Sequence, residues 1–516
     1  RLTKVEPRLT MNISDYRRDF AAYSSAVELA HYQYRAGFEK ELHLEPIYER
    51  YGDLFTLDAI DSLRRAWKDT PAHLETERAG LVLLTGSARA GFLEARGREL
   101  TDEISRCEAA ASVEWAGERV PINNVPRIIS NEPSAARRRE LAARWVDAQR
   151  SCNDLRATLI ESFHESALAL GFDSYRALFG DIMATDFERL ASAADKFLER
   201  TESPYTSALR RAAARDLPGV AFEDLQHADQ FYFQRAPRLD PFFPAQELMA
   251  TYSDGVHGLG IRVERQQNIH IDAEPRPFKN PRAACFRINP PDDVRLLIAP
   301  VGGAYDYTVL FHEAGHAQHF GWSSRDLCQR HPEFLYAPDH ATSEGYAFLF
   351  SLLFQDAAWL VEHRHVAPAR AREIVRALSL QTCANIRRRC ASLSYEIELH
   401  GGTRLHHEHL AQSYSDKLTQ ATRFRRSPAL YLVDVDDGFY SAAYLRAWAF
   451  EICLREHLRV RHGRRWWATR AAGDELIDLW NTSSRYTVEE LARHVGFGEI
   501  SFELLAEQLI AAMKED

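Results

Sequence analysis

Apolar residues recur at three- and four-residue spacing along most of the chain, as they do where helices bury one face. One such stretch runs from Met11 to Glu41, and a longer one from Ala72 to Trp115, in which Gly80, Gly86, Gly91 and Gly97 are expected interruptions,. Another opens at Pro133, suited to an early helical position, and closes at Gly171,. The segment Pro121 to Pro126 reads as a loop, and prolines punctuate residues 203 to 244,. Between Gly260 and Val301 the texture changes. Ile261 to Glu264 and Asn268 to Asp272 alternate apolar and polar residues, and Ala284 to Ile288 pairs with Val294 to Pro300 across a turn at Asn289 to Asp293,. After Gly302 and Gly303 the helical spacing returns nearly to the end. The pattern predicts a mainly α protein with one small sheet just ahead of a helix near 304–321. It divides into an N-terminal helical region over 1–200 and a second region over 201–516.

The predicted helix after the sheet carries His312-Glu313-x-x-His316. Positions i and i+4 lie one above the other on a helix, so both imidazoles can grip one zinc ion from the same side. Glu313 sits one step round, placed to act on a water beside the ion without binding the ion itself. A third ligand must come from downstream, because Ala317 to Trp322 lacks the metzincin spacing,. The candidates are Asp326, Glu333, Asp339 and Glu344. Glu344 is favoured, since it lies in the first turn of a strongly apolar helix, Ala341 to Phe350, where a carboxylate is costly unless paired or metal-bound,. The competing reading is a helix-capping carboxylate facing solvent.

Composition narrows the classes. With 516 residues, 45% hydrophobic and 27% charged, the chain is globular and long enough for more than one core,. A net charge of −10 argues against nucleic acid as a partner,. No apolar run reaches the ~18 residues of a membrane span; the nearest, Tyr346 to Phe354, is interrupted by Ser351. Arg1 to Arg8 is charged and shows no signal peptide,. The seven cysteines are scattered, with no Cys-x-x-Cys, which predicts free buried thiols in a reducing compartment and a soluble, cytoplasmic protein,.

The segment His312 to His319, with Glu344 following 28 residues after His316, resembles the thimet oligopeptidase and oligopeptidase F group of gluzincins. A second stretch, Gly438-Phe-Tyr-Ser-Ala-Ala-Tyr-Leu-Arg-Ala-Trp448, is similar to that group's tyrosine-rich segment, with Tyr440 on its first tyrosine and Tyr444 on its second. The likeness covers the chain from about Pro281 onward. It implies a two-lobed helical metallopeptidase with a deep central groove, 201–516 as the catalytic region, one zinc ion held by His312, His316 and Glu344, and short unstructured peptides as substrates. Glu313 would be the general base, and Tyr444, then Tyr440, would stabilise the oxyanion; the competing reading of both tyrosines is a packed aromatic stripe. Ala447 stands where the third tyrosine of the pattern would be, and the histidine that precedes the first is replaced within Val433 to Asp437. Those departures motivate an alternative: a specialised or degenerate zinc-binding relative, acting on one unusual amide or serving as a binding protein. The strand from Val294 to Val301 with Gly302-Gly303 either pairs with an extended substrate or simply turns into the helix. His400, His406, His407 and His409 read as a packed or solvated cluster more than a second metal site, and His319 as packing beneath the first. Arg387 to Arg389 and Arg423 to Arg426 read as solvated faces, with a carboxylate clamp as the other option. The sequence does not specify the oligomeric state.

Overall fold

The computed structural model describes residues 12–280 and 282–514; Met11 and the charged stretch Arg1 to Arg8 lie outside the described residues. Helix α1 (Ile13–Arg35) starts where the Asn12 side chain accepts a hydrogen bond from Ser14 N at 2.9 Å,. Helix α2 (Glu75–Ala110) runs unbroken through all four glycines, so the expected interruptions do not occur. The glycines are buried where neighbours press closely: a β-carbon at Gly91 would lie 2.2 Å from the Phe55 ring, and one at Gly97 2.7 Å from Phe163. That packing offsets the propensity cost of about 1 kcal/mol for each glycine.

A small hairpin follows, β1 (Ser112–Trp115) and β2 (Glu118–Pro121), turning at Ala116 and Gly117, both at positive φ,. The loop expected over 121–126 is the end of this hairpin and the start of a short helix, Val125–Asn131. The helix expected from Pro133 to Gly171 is two helices, Ala135–Arg150 and Asn153–Ala169. At the break, Ser151 Oγ donates to Ala148 O (2.7 Å) and Arg156 Nη1 donates to Gln149 O (2.8 Å), satisfying carbonyls that a continuous ladder would have used,. Cys152 at that break is bonded to Cys107, which corrects the expectation of seven free thiols; Cys285, Cys328, Cys383, Cys390 and Cys453 are free. A helix from Phe187 to Asp216 passes across residues 200 and 201, and the largest core holds side chains from both sides, Phe197 and Tyr205 with Phe439 and Trp448.

The second sheet contains β3 (Ile269–Asp272), β4 (Ala284–Asn289) and β5 (Asp293–Leu297) in the order β3-β5-β4. β3 runs parallel to β5, and β4 antiparallel to it. Ile261 to Glu264 is not a strand: Gln266 N bonds Val263 O at 3.2 Å, closing a local turn in place of a ladder. β5 is the middle strand, so it has no free edge on which a substrate could pair, contrary to that expectation. The outer strands are β3 and β4; on β4 the free edge is occupied. The amides of Cys285 and Arg287 are taken by Glu313 Oε2 (2.8 Å) and Glu28 Oε2 (3.2 Å).

Helix α3 (Ala304–Gly321) begins after Gly302 and Gly303, both at positive φ, where Asp306 Oδ2 accepts from the amides of Val301 (2.8 Å) and Gly302 (2.9 Å). The two glycines thus form the turn into the helix. α3 packs along α4 (Ala341–Ser351), and α4 along α6 (Tyr440–His462); α5 (Pro368–Leu399) supports α6 from behind. No helix among the described residues is long and apolar enough to cross a membrane.

Candidate metal centre

Helix α3 presents His312 and His316 on one face, their ring centroids 4.9 Å apart and the planes at 89°. Between them is Gly315. A β-carbon there would lie 2.6 Å from Ala347 Cα and 2.9 Å from Tyr346 O, so the missing side chain is what allows α4 to rest directly on the backbone of α3. This contact brings Glu344 across from the two histidines. Its Oε2 lies 3.1 Å from His312 Nε2 and 3.7 Å from His316 Nε2, and the potential donor atoms of all three residues fall within 4.8 Å of one another.

Several observations fit a cation at this point. Glu344 is 4% exposed, yet its Oε2 accepts no hydrogen bond, an expense that a bound cation would remove,. Burial raises the affinity of the Glu344 carboxyl for a proton, but His316, His312 and the Tyr440 hydroxyl outweigh it and hold the group well below the usual carboxylate range. Burial likewise pushes the His316 imidazole down to about 3, with His312, His319 and Arg287 adding to the fall against Glu344. His316 is therefore the neutral imidazole that metal ligation needs. Burial lowers His312 too, but contact with Glu344 reverses the sign and raises it. Two imidazoles and a carboxylate are the donor set of a catalytic zinc site, and cobalt or manganese would suit the same donors.

The supports of the site are short contacts. Ser343 Oγ lies 2.6 Å from His316 Nδ1, and Tyr440 OH donates to Glu344 Oε1 at 2.7 Å. Ser343→Ala is expected to weaken zinc binding by roughly 10- to 100-fold, measured by chelator competition, because the ring loses the contact that fixes its orientation. Glu313 stands beside the cluster with Oε2 held by the Cys285 amide; burial, followed by His312 in opposition and Glu344 in support, leaves its carboxyl raised to about 7. The other downstream acids are committed elsewhere: Asp326 to Arg330, Glu333 to Arg17 and His331, and Asp339 to Arg446.

Tyr440 and Tyr444 stand one turn apart on α6 with centroids separated by 4.9 Å. Tyr440 is engaged with Glu344, whereas the Tyr444 hydroxyl has no hydrogen-bond partner among the described residues. The Arg389 guanidinium lies 4.6 Å over the Tyr444 ring, and Arg389 pairs with Asp436. Ala447 is fully buried where α6 meets α4, its carbonyl 3.5 Å from where a Gly345 β-carbon would be. A tyrosine at 447 has no room in that interface. One residue was missed from the sequence: His340, whose ring is 5.1 Å from Tyr440 and tilted by 33°. It lies four positions before Glu344, and the same i, i+4 spacing that exposes the histidine pair would have found it.

The remaining candidates separate cleanly. His319 is buried against Phe320 and Tyr346, outside the donor cluster. His400 Nδ1 contacts His164 Nε2 at 2.9 Å, His407 contacts Tyr431 OH, and His409 pairs with Glu398, so these histidines do not converge. The arginine runs are not simple solvated faces. Arg387 is 1% exposed and bonds Glu202, Thr201 and two carbonyls, and Arg426 is 3% exposed and pairs with Asp434. Arg387 lies on a buried helix face and Arg426 in the buried segment after a helix end, and ion pairs satisfy both,.

No family model matches the chain, and no curated protein matches it in sequence. Solved structures do. PZ peptidase A with an inhibitor aligns at a TM-score of 0.64 and 14% identity, covering 97% of this chain and 91% of that one. A structure assigned to oligoendopeptidase F aligns at 0.66 and 15%, covering 97% and 90%. Another assigned to oligoendopeptidase F, from Bacillus anthracis strain Ames, aligns at 0.60 and 14%, covering 98% and 96%. The chain therefore shares, over nearly its whole length, the mainly helical fold of the PZ peptidase and oligoendopeptidase F structures.

Proposed function

We propose that this protein is a zinc-dependent peptidase of the oligopeptidase F group that hydrolyses peptide bonds in short, unstructured peptides. The observation that carries this reading is the convergence of His312, His316 and Glu344, with Glu313 alongside, in a chain of that fold. His312, His316 and Glu344 would hold one zinc ion, which supplies the Lewis acidity that makes water a nucleophile near neutral pH. Glu313 accepts the proton of the attacking water through Oε1, since Oε2 is occupied by the Cys285 amide, and returns it to the leaving amine,. The unpartnered hydroxyl of Tyr444 donates to the developing oxyanion; Tyr440, already donating to Glu344, is the second donor,.

Ala447 supports a second reading, in which the same zinc site serves one unusual amide or acts only in binding. One experiment divides the two. Zinc-loaded protein, chelator-treated protein and the zinc-restored sample are incubated with mixed peptides of ~5 to 20 residues, and products are mapped by mass spectrometry. The peptidase reading expects cleavage that is lost with the chelator and returns with zinc. Intact peptides beside one bound zinc per chain would overturn it in favour of the second reading.

A further inference from the structure

Arg35 ends α1 beside β4, its guanidinium 5.8 Å over the ring of Phe286. Phe286 directly follows Cys285, whose amide holds Glu313. Arg35 thus stands over the residue that follows the one whose amide holds the group assigned as general base. Its bonding is incomplete. Nε is buried with no hydrogen-bond partner, and Nη2 reaches only the carbonyl of Arg282, at 3.4 Å. No carboxylate pairs with it among the described residues.

Other buried arginines differ. Arg138 lies 2.7 Å from Asp229, and Arg446 lies 2.8 Å from Asp339 and 2.7 Å from Glu489. Burial lowers the proton affinity of Arg35, Glu313 supports the charge, and Arg282 beside it opposes it. Glu313 does not serve as its partner in an ion pair, because one carboxylate oxygen is committed to Cys285 and no contact of ion-pair length joins the two residues. A half-buried guanidinium with a second arginine next to it and no counter-ion is an unfilled receptor for an anion, and a carboxylate fits its fork.

We infer that Arg35, assisted by Arg282, binds a carboxylate of the substrate a few residues beyond the scissile bond. This inference rests on the peptidase reading for the identity of the ligand as a peptide. Glu313 is near enough to act on the charge of Arg35, so an extended chain, which advances ~3.3 Å per residue, passes from one to the other within a few residues,. The carboxylate has two possible sources, the C-terminus of a short peptide or an aspartate or glutamate side chain. The first would make the enzyme a trimmer of chain ends.

The test uses one peptide sequence as free acid, as C-terminal amide, and as an amide carrying aspartate two residues past the cleaved bond. Binding is measured by calorimetry to zinc-loaded Glu313→Gln, and turnover with wild type. The free acid is expected to bind about 10- to 100-fold more tightly than the amide, the difference a charge-assisted hydrogen bond makes. That preference should vanish in Glu313→Gln carrying Arg35→Gln, fall partly with Arg35→Lys, and fall partly with Arg282→Gln, which alters an exposed side chain. Recovery of tight binding by the aspartate amide would assign the site to acidic side chains, and failure of that amide to recover would assign it to the C-terminus. Equal binding of acid and amide, or equal losses for both on changing Arg35, would overturn the inference. If wild type cuts nothing while Glu313→Gln still prefers the free acid, the peptidase reading falls and the carboxylate site stands; no binding of either peptide overturns the site itself.

Discussion

Glu313→Gln is expected to lower kcat by roughly 10²- to 10⁴-fold while the protein keeps one zinc per chain. Glutamine retains a carbonyl oxygen that can accept from the Cys285 amide, so the side chain should stay where the glutamate is,. What it loses is any capacity to accept a proton from water. The separation is clean because Glu313 is not a member of the donor cluster. Single-turnover kinetics on a cleaved peptide, together with metal content by mass spectrometry, measures both quantities on one sample. A variant within a few-fold of wild type would remove Glu313 from the mechanism; one that also lost its zinc would place Glu313 among the ligands.

Gly315→Ala is expected to damage stability and zinc binding together, without altering a ligand. The added methyl meets the backbone of α4 at 2.6 and 2.9 Å, and backbone cannot rotate away as a flexible side chain can. The helices must separate, at a cost of about 1 to 3 kcal/mol of folding stability. Glu344 moves with α4, so the carboxylate withdraws from His312 and His316, and zinc affinity should fall by roughly the 10- to 100-fold seen when a ligand loses its support. Gly52→Ala is the matched control. Gly52 has helical dihedrals and nothing within 4 Å of its would-be β-carbon, so its melting curve should shift little or upward,. A Gly315→Ala protein that melts and binds zinc like wild type would show that this contact does not position the site.

The i, i+4 histidine pair and the acid heading an apolar helix were legible in the sequence because helix periodicity fixes which side chains share a face. The sheet ahead of α3 was legible for the same reason, through alternation. What lay beyond reach depended on partners distant in sequence. The order β3-β5-β4 puts the last strand in the centre, but alternation within a strand says nothing about which neighbour it takes,. The glycines of α2 look like breaks until Phe55 and Phe163 are seen pressing on them. Arg387 looks like part of a charged surface because its acid, Glu202, comes 185 residues earlier. The contact of Ser343 with His316 depends on how two helices cross, which neither segment shows alone.

The carboxylates that occupy the outer rim of β4 bear on the handling of extended chains. Peptides in extended form are what add themselves to open sheet edges, and edge-to-edge association is a common route to aggregation. Here the Cys285 and Arg287 amides are already sealed by Glu313 and Glu28, so a newcomer must displace two acids before it can join the sheet along β4. Along that edge, beside the candidate metal centre, extended segments would thereby be released instead of accumulating as added strands.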